Sequence, residues 1–88
     1  MYEVEFKPRA AHDLERLDRA VASRVLSRIR WLAANFDSIN TESLAGRFEG
    51  LLKFRVGDYR VIYSADREKK VLRIELVGHR REIYNEPD

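Results

Sequence analysis

Past the middle of this chain the hydrophobic period changes from a helical repeat to a strand repeat. That switch restricts the fold to helices laid against a sheet. Ala10, Leu14, Leu17 and Val21 recur at steps of four, three and four, as do Val25, Ile29, Leu32 and Phe36. Residues spaced in this way line one face of a helix. From Leu52 the step is two, with Leu52, Phe54 and Val56 alternating with Lys53 and Arg55. Alternation of this kind puts the apolar three on one side of a strand and the basic pair on the other. The chain also opens on an alternating stretch, Tyr2 to Phe6, in which Glu3 and Glu5 separate apolar residues.

Punctuation residues set the boundaries. Pro8 suits the first turn of a helix, where its missing N–H has no partner to lose, and predicts a helix from Pro8 to about Leu17 with Arg9, Asp13, Glu15 and Arg16 largely outside. Asp18 can cap a second helix that carries the Val25 to Phe36 stripe, with Arg24, Arg28 and Arg30 off it. Asn35 to Glu42 is polar and turn-like, and it leads into a connecting segment broken by Gly46 and Gly50. Gly57-Asp58 predicts a tight hairpin between Leu52–Val56 and a strand over Tyr59 to Ala65. A turn over Asp66 to Lys70 precedes the last strand, Val71 to Val77, which ends at Gly78; the tail His79 to Asp88 has no firm assignment. The expected fold is α+β: an N-terminal strand and a helical hairpin packed on one face of a mainly antiparallel, twisted sheet of four strands. The other face, carrying Lys53 and Arg55, is expected to be open.

At 88 residues the chain can build one hydrophobic core, so a single domain over 1–88 is expected. Hydrophobic residues make up 44% and charged residues 36%, and no apolar run approaches the roughly 18 residues of a membrane span. Met1 to Lys7 alternates charged with apolar residues and lacks the continuous apolar core of a secretion signal. A cytoplasmic protein with no membrane contact is the expectation. There is no cysteine, and His12 and His79 stand alone, which excludes thiolate sites and disfavours a metal. No cofactor is expected. The net charge of +2 is unevenly spread: residues 44 to 84 hold ten basic against six acidic side chains, whereas residues 1 to 43 hold seven of each. A local basic excess can form an electrostatic footprint for nucleic acid.

Three segments together resemble the RelE/ParE toxin superfamily: FKPRAAHDLERL at Phe6 to Leu17, LAGRFEGLLKFRVGDYRVIYS at Leu44 to Ser64, and VGHRREIY at Val77 to Tyr84. The resemblance implies the α+β fold outlined above and a RelE-type toxin of a type II toxin–antitoxin system. RelE-like enzymes cut mRNA in the ribosomal A site, mainly with basic residues. On this sequence the resemblance points to Lys53 and Arg55, then Arg60, then Arg80 or Arg81, then Tyr84, with His79 as an additional acid or base. Arg55 departs from the lysine often found there, and VGHRREIY is shorter between glycine and tyrosine than the family's pattern, so either Arg80 or Arg81 is the counterpart. Expected partners are a RelB-like antitoxin, the small ribosomal subunit and mRNA, with neither metal nor cofactor. The antitoxin has two surfaces open to it: a groove beside the helical hairpin near Leu26 and Trp31, and the active-site face. ParE-like gyrase inhibitors share this fold without nuclease chemistry, and they are the alternative.

The chemistry of these residues fits RNA cleavage by a 2′-hydroxyl attacking its neighbouring phosphate. The reaction needs a base at the 2′-oxygen, charge stabilisation at the phosphorane and a proton for the 5′-oxygen. Arginine serves only the second role, because it stays charged. Lys53 is the candidate base if Arg55 and Arg60 lie close enough for like charge to favour its neutral amine. Tyr84 can stack on a base, orient the hydroxyl or donate a proton. Each residue also has a structural rival: Lys53 and Arg55 as the wet side of a strand, Arg60 as an ion-pair partner of Asp58 or Glu75, and His79 as a backbone cap. His12 reads as an exposed helix residue, Tyr59 and Tyr63 as packing, and Trp31 as packing or a partner contact.

Overall fold

A computed structural model describes residues 1–85, with only the backbone for Tyr84 and Asn85. The elements are β1 (Glu3–Phe6), α1 (Pro8–Glu15), α2 (Arg19–Asn35), β2 (Glu42–Ser43), β3 (Leu52–Val56), β4 (Tyr59–Asp66), β5 (Val71–His79) and α3 (Arg80–Asn85). Short 3-10 turns occupy Phe36–Ser38 and Gly46–Phe48. The sheet has five strands in the order β1-β5-β4-β3-β2, with β1 parallel to β5 and every other neighbour antiparallel. The fold class is the expected one, with one strand more than the sequence suggested. The extra strand, β2, has two residues, Glu42 and Ser43, paired with Lys53 and Leu52, too short to carry a period.

Local chemistry explains the helix boundaries. Pro8 sits in the first turn of α1. The Asp18 carboxylate accepts the Ala20 N–H at 3.1 Å, which caps α2 and holds Asp18 itself in an extended conformation (φ −52°, ψ 142°). That extension ends α1 at Glu15 rather than Leu17. Val25, Ile29 and Leu32 bury completely or nearly so against Val61, Tyr63, Leu72 and Ile74 of the sheet. The hairpin turn uses Gly57 at φ +59°, a conformation glycine adopts without a steric penalty.

Two expectations need correction. Asp13 does not stay outside: its side chain is 13% exposed and accepts the Val77 N–H at 3.0 Å. β1 pairs with β5 only as far as Ile74, so the carboxylate supplies an acceptor beyond the end of the edge strand. The helix-free face is not open either. Ile62, Leu76 and Ile83 form a second buried cluster there, flanked by Leu44, Phe48 and Leu51. The cause is a β-bulge: Tyr63 pairs with Ile74 and Ile62 with Leu76, leaving Glu75 without a partner of its own. Leu76 therefore faces α3 while Val77 joins the main core.

Tyr63 gives the fold a testable pH dependence. It is 1% exposed, and burial pushes its phenol up to about 12, with the Arg67 charge partly opposing. Burial, then the hydrogen bond to Asp37 at 2.9 Å, raises Tyr2 in the same direction. A raised folded pKa means that the unfolded chain ionises first, so the stabilisation is complete below pH ~10 and is lost as pH rises through the folded value. Urea midpoints measured between pH 9 and 12 should fall with pH, and Tyr63→Phe should flatten that fall without abolishing the share due to Tyr2. An unchanged slope in Tyr63→Phe would show that Tyr63 ionises alike in both states.

Candidate functional site

Cross-strand register decides which basic residues meet. Directly paired residues share a face, and Arg55 pairs with Arg60, which pairs on its other side with Gly78. Lys53 pairs with Ile62 and with Glu42. Lys53, Arg55 and Arg60 therefore stand together on the face opposite the helical hairpin, the first two by their alternation with Leu52, Phe54 and Val56 and Arg60 by its pairing with Arg55. The Glu42 carboxylate lies between the first two, with Oε2 3.6 Å from Lys53 Nζ and 3.3 Å from Arg55 Nη2. Arg55 is largely exposed and Lys53 is not, their side chains being 59% and 15% accessible. An exposed ion pair such as Arg55–Glu42 contributes ~0–1 kcal/mol, so Glu42 can be displaced from Arg55 at little cost.

Arg60 is the unusual member. It is 9% exposed, and its Nη1 donates to the carbonyls of Gly57 and Tyr59, both at 2.9 Å. Its Nε is buried without a hydrogen-bond partner. Among the described residues no carboxylate pairs with it, and Asp58, which sequence proximity offers as a partner, pairs with Arg80 instead at 3.7 Å. A buried guanidinium with no counter-charge is expensive to keep, and an anion arriving at this face would relieve it.

The segment after β5 brings in the remaining candidates. Arg80 and Arg81 open α3 and are both exposed. The Arg80 N–H donates to the Asp58 carbonyl at 2.8 Å, which fastens α3 to the β3–β4 hairpin next to Arg60. His79 is separate. It pairs with Tyr59 on the helix side, where the two rings meet edge to face at 5.4 Å. Its Nδ1 accepts the Arg81 N–H at 3.2 Å, so His79 caps the start of α3 rather than strand groups at the sheet end, and it does not join the basic row. The Tyr84 side chain lies outside the described residues.

Sequence reasoning missed Glu42, hidden in a polar run, and missed how the edge of the sheet is built. Trp31 is 40% exposed, stacks on Phe54 at 6.3 Å and 12°, and lies under the Arg28 guanidinium at 4.5 Å. These three, with Ile39, Glu42 and Lys53, line a groove of about 270 Å³ beside the basic row. A groove near Trp31 was expected from its place one residue and 100° from the buried Leu32 stripe, whereas Leu26, expected there too, does not line it. Among the described residues no His, Asp and Glu cluster is arranged to hold a metal, and no helix is long and apolar enough to cross a membrane.

One twisted sheet with a helical hairpin on one face and a short C-terminal helix beside a basic row on the other defines a protein of the RelE/ParE toxin superfamily. The chain belongs to the family of ParE toxins of type II toxin–antitoxin systems, whose model matches residues 4–84. Among solved structures it is similar to a chain of the RelBE2 toxin–antitoxin complex from Mycobacterium tuberculosis, with TM-score 0.79 and 26% identity over 89% of this chain and 96% of that one. A chain of the archaeal RelE–RelB complex from Pyrococcus horikoshii OT3 gives TM-score 0.68 and 29% identity over 90% and 94%. The isolated E. coli RelE toxin has the same fold, with TM-score 0.73 and 24% identity over 96% and 92%. No match was found among curated protein sequences.

Proposed function

We propose that this toxin is a ribosome-dependent endoribonuclease that cleaves mRNA in the A site and so inhibits translation in the cytoplasm. The observation that carries the reading is Arg60, a buried guanidinium whose Nε has no hydrogen-bond partner and which, among the described residues, pairs with no carboxylate but stands across the ladder from a second arginine. A protein with no anion to bind has little reason to keep that arrangement. In the proposed reaction substrate phosphate displaces the Glu42 carboxylate from Lys53 and Arg55, and Lys53, left beside Arg55 without that counter-charge, takes the proton of the 2′-hydroxyl. The 2′-oxygen attacks phosphorus, and Arg55, Arg60 and either Arg80 or Arg81 stabilise the charge on the phosphorane. The bond to the 5′-oxygen breaks, and Tyr84 or water returns a proton to it. No metal or cofactor takes part.

The similar structures from M. tuberculosis and P. horikoshii are complexes with antitoxins, and we infer a RelB-like antitoxin as the partner. An acidic segment that folds on binding suits the Arg28–Trp31–Phe54 groove at the hairpin and sheet edge as its anchor, with inhibition through the face that holds Arg60. A second reading, a ParE-like gyrase inhibitor without nuclease activity, is favoured by the family model that matches. Induction of the wild-type protein in growing cells separates the two. Mapping of mRNA 5′ ends should find cuts within translated codons, with chromosomal DNA intact. Uncut mRNA together with DNA breaks and inhibited gyrase would replace the nuclease with the gyrase poison.

A further inference from the structure

We propose that His79 is a positioning residue: as the N-cap of α3 it sets where Arg80 and Arg81 stand over the basic face. The proposal rests on the nuclease reading for its consequence and on geometry for its mechanism. α3 has six residues, too few for a helix to persist on its own propensity, so its placement depends on a few contacts. The first N–H groups of a helix have no partner within it. Here the Arg80 N–H goes to the Asp58 carbonyl at 2.8 Å and the Arg81 N–H to His79 Nδ1 at 3.2 Å. On the sheet side Ile83 packs on Ile62 and Leu76, and Gly78 leaves it room, since a Cβ at Gly78 would lie 3.2 Å from Ile83 Cγ1.

The histidine occupies the N-cap position and bonds the N–H two residues on, the arrangement usually supplied by Asn, Asp or Ser. To accept, Nδ1 must be unprotonated, which puts the ring proton of neutral His79 on Nε2. Tyr59 fixes the ring edge to face from β4. The charged side chains that share its cavity of about 130 Å³ are Asp13 and Arg16 from the α1 side and Glu82 from α3. Lys53, Arg55 and Arg60 do not line that cavity, and the His79 ring lies with Tyr59 on the other side of the sheet from them, so His79 serves those residues through α3 rather than by touching RNA.

Asn is the informative substitution, because its Oδ1 branches from Cγ just as Nδ1 does and can accept the same N–H while offering no acid or base. Purified wild type, His79→Ala and His79→Asn should be compared for cleavage of mRNA on programmed ribosomes and for hydrogen exchange of the Arg81 amide. His79→Ala should lose roughly tenfold in kcat, the scale of one lost helix cap, with faster Arg81 exchange and unchanged protection along β5. His79→Asn should restore both to within about threefold on the same scale. Equal loss of cleavage in both variants with Arg81 protected in His79→Asn would make His79 an acid or base and overturn the proposal. Wild-type cleavage and exchange in His79→Ala would overturn it as well. If the wild type cuts no mRNA, the nuclease reading fails by itself, and Arg81 exchange across the three proteins still decides whether His79 is the cap.

Discussion

Methionine in place of Arg60 is expected to yield a folded protein that neither arrests growth nor cuts mRNA. Arg60 is the one buried charge of the basic row, donating to Gly57 and Tyr59 while its Nε has no partner. Losing a donor preorganised for the charge that develops in a transition state lowers the rate on the order of 10²- to 10³-fold. Stability should move far less. An apolar side chain of similar length removes the desolvated charge, which offsets the two lost hydrogen bonds, and such replacements are often neutral or stabilising. Leu32→Ala is the matched control: Leu32 is fully buried beneath the sheet, and its truncation should cost about 2 to 5 kcal/mol while leaving the rate per folded molecule unchanged. Urea unfolding and cleavage assays on both variants check the dissociation. If Arg60→Met unfolds while Leu32→Ala stays stable, Arg60 is a structural residue and the anion-binding reading goes with it.

What the sequence made legible divides along physical lines. Features set by local chemistry were readable: Asp18 as the cap that separates the helices, Gly57-Asp58 as a hairpin, the Val25 to Phe36 stripe as core, and Lys53 with Arg55 on one side of a strand. Features set by tertiary pairing were not. The bulge at Glu75 appears only when β4 and β5 are laid side by side, and it sends Leu76 to the second face against simple alternation. Asp13 looked solvated because helical periodicity says nothing of an N–H left unpaired on a distant strand. Within the candidate site, alternation put Lys53 and Arg55 on one face, whereas Arg60 entered through the family resemblance and meets Arg55 only through cross-strand register. Alternation could not exclude His79, because the same bulge shifts parity by one residue before β5 ends. Of the acidic partners, Glu42 was invisible because its strand has only two residues, and Asp58, weighed as a partner of Arg60, pairs with Arg80 instead across the hairpin turn.

Phe36→Ala should be among the most damaging truncations in the protein, and its damage should fall on stability alone. Phe36 is 1% exposed at the first residue after α2, where three parts of the chain converge. Its ring meets Tyr2 at 4.9 Å and 60°, Tyr63 at 6.1 Å and 80°, and the Arg67 guanidinium at 4.7 Å. Beside it Tyr2 donates its N–H to the Ala33 carbonyl at 3.1 Å and its hydroxyl to Asp37, so the cavity would also loosen the N-terminal edge of the sheet. A buried phenylalanine cut to alanine costs about 3 to 5 kcal/mol, and each tilted aromatic pair adds ~0.5 to 1.5 kcal/mol beyond burial. A domain of this length has roughly 4 to 13 kcal/mol in all, so the variant should lose about a quarter of its stability at the least. Its Tm should fall by roughly 15 to 30 °C. Phe36 lies on the helix side of the sheet and Arg60 on the other, so cleavage per folded molecule should match the wild type well below the new Tm. A partner that binds only the folded state should recover part of the lost Tm by mass action, which makes co-expression with the antitoxin a second measurement. A drop in Tm of only a few degrees would mean that the aromatic cluster repacks around the deletion, and full stability with lost cleavage would mean that the two faces of the sheet are not energetically separate.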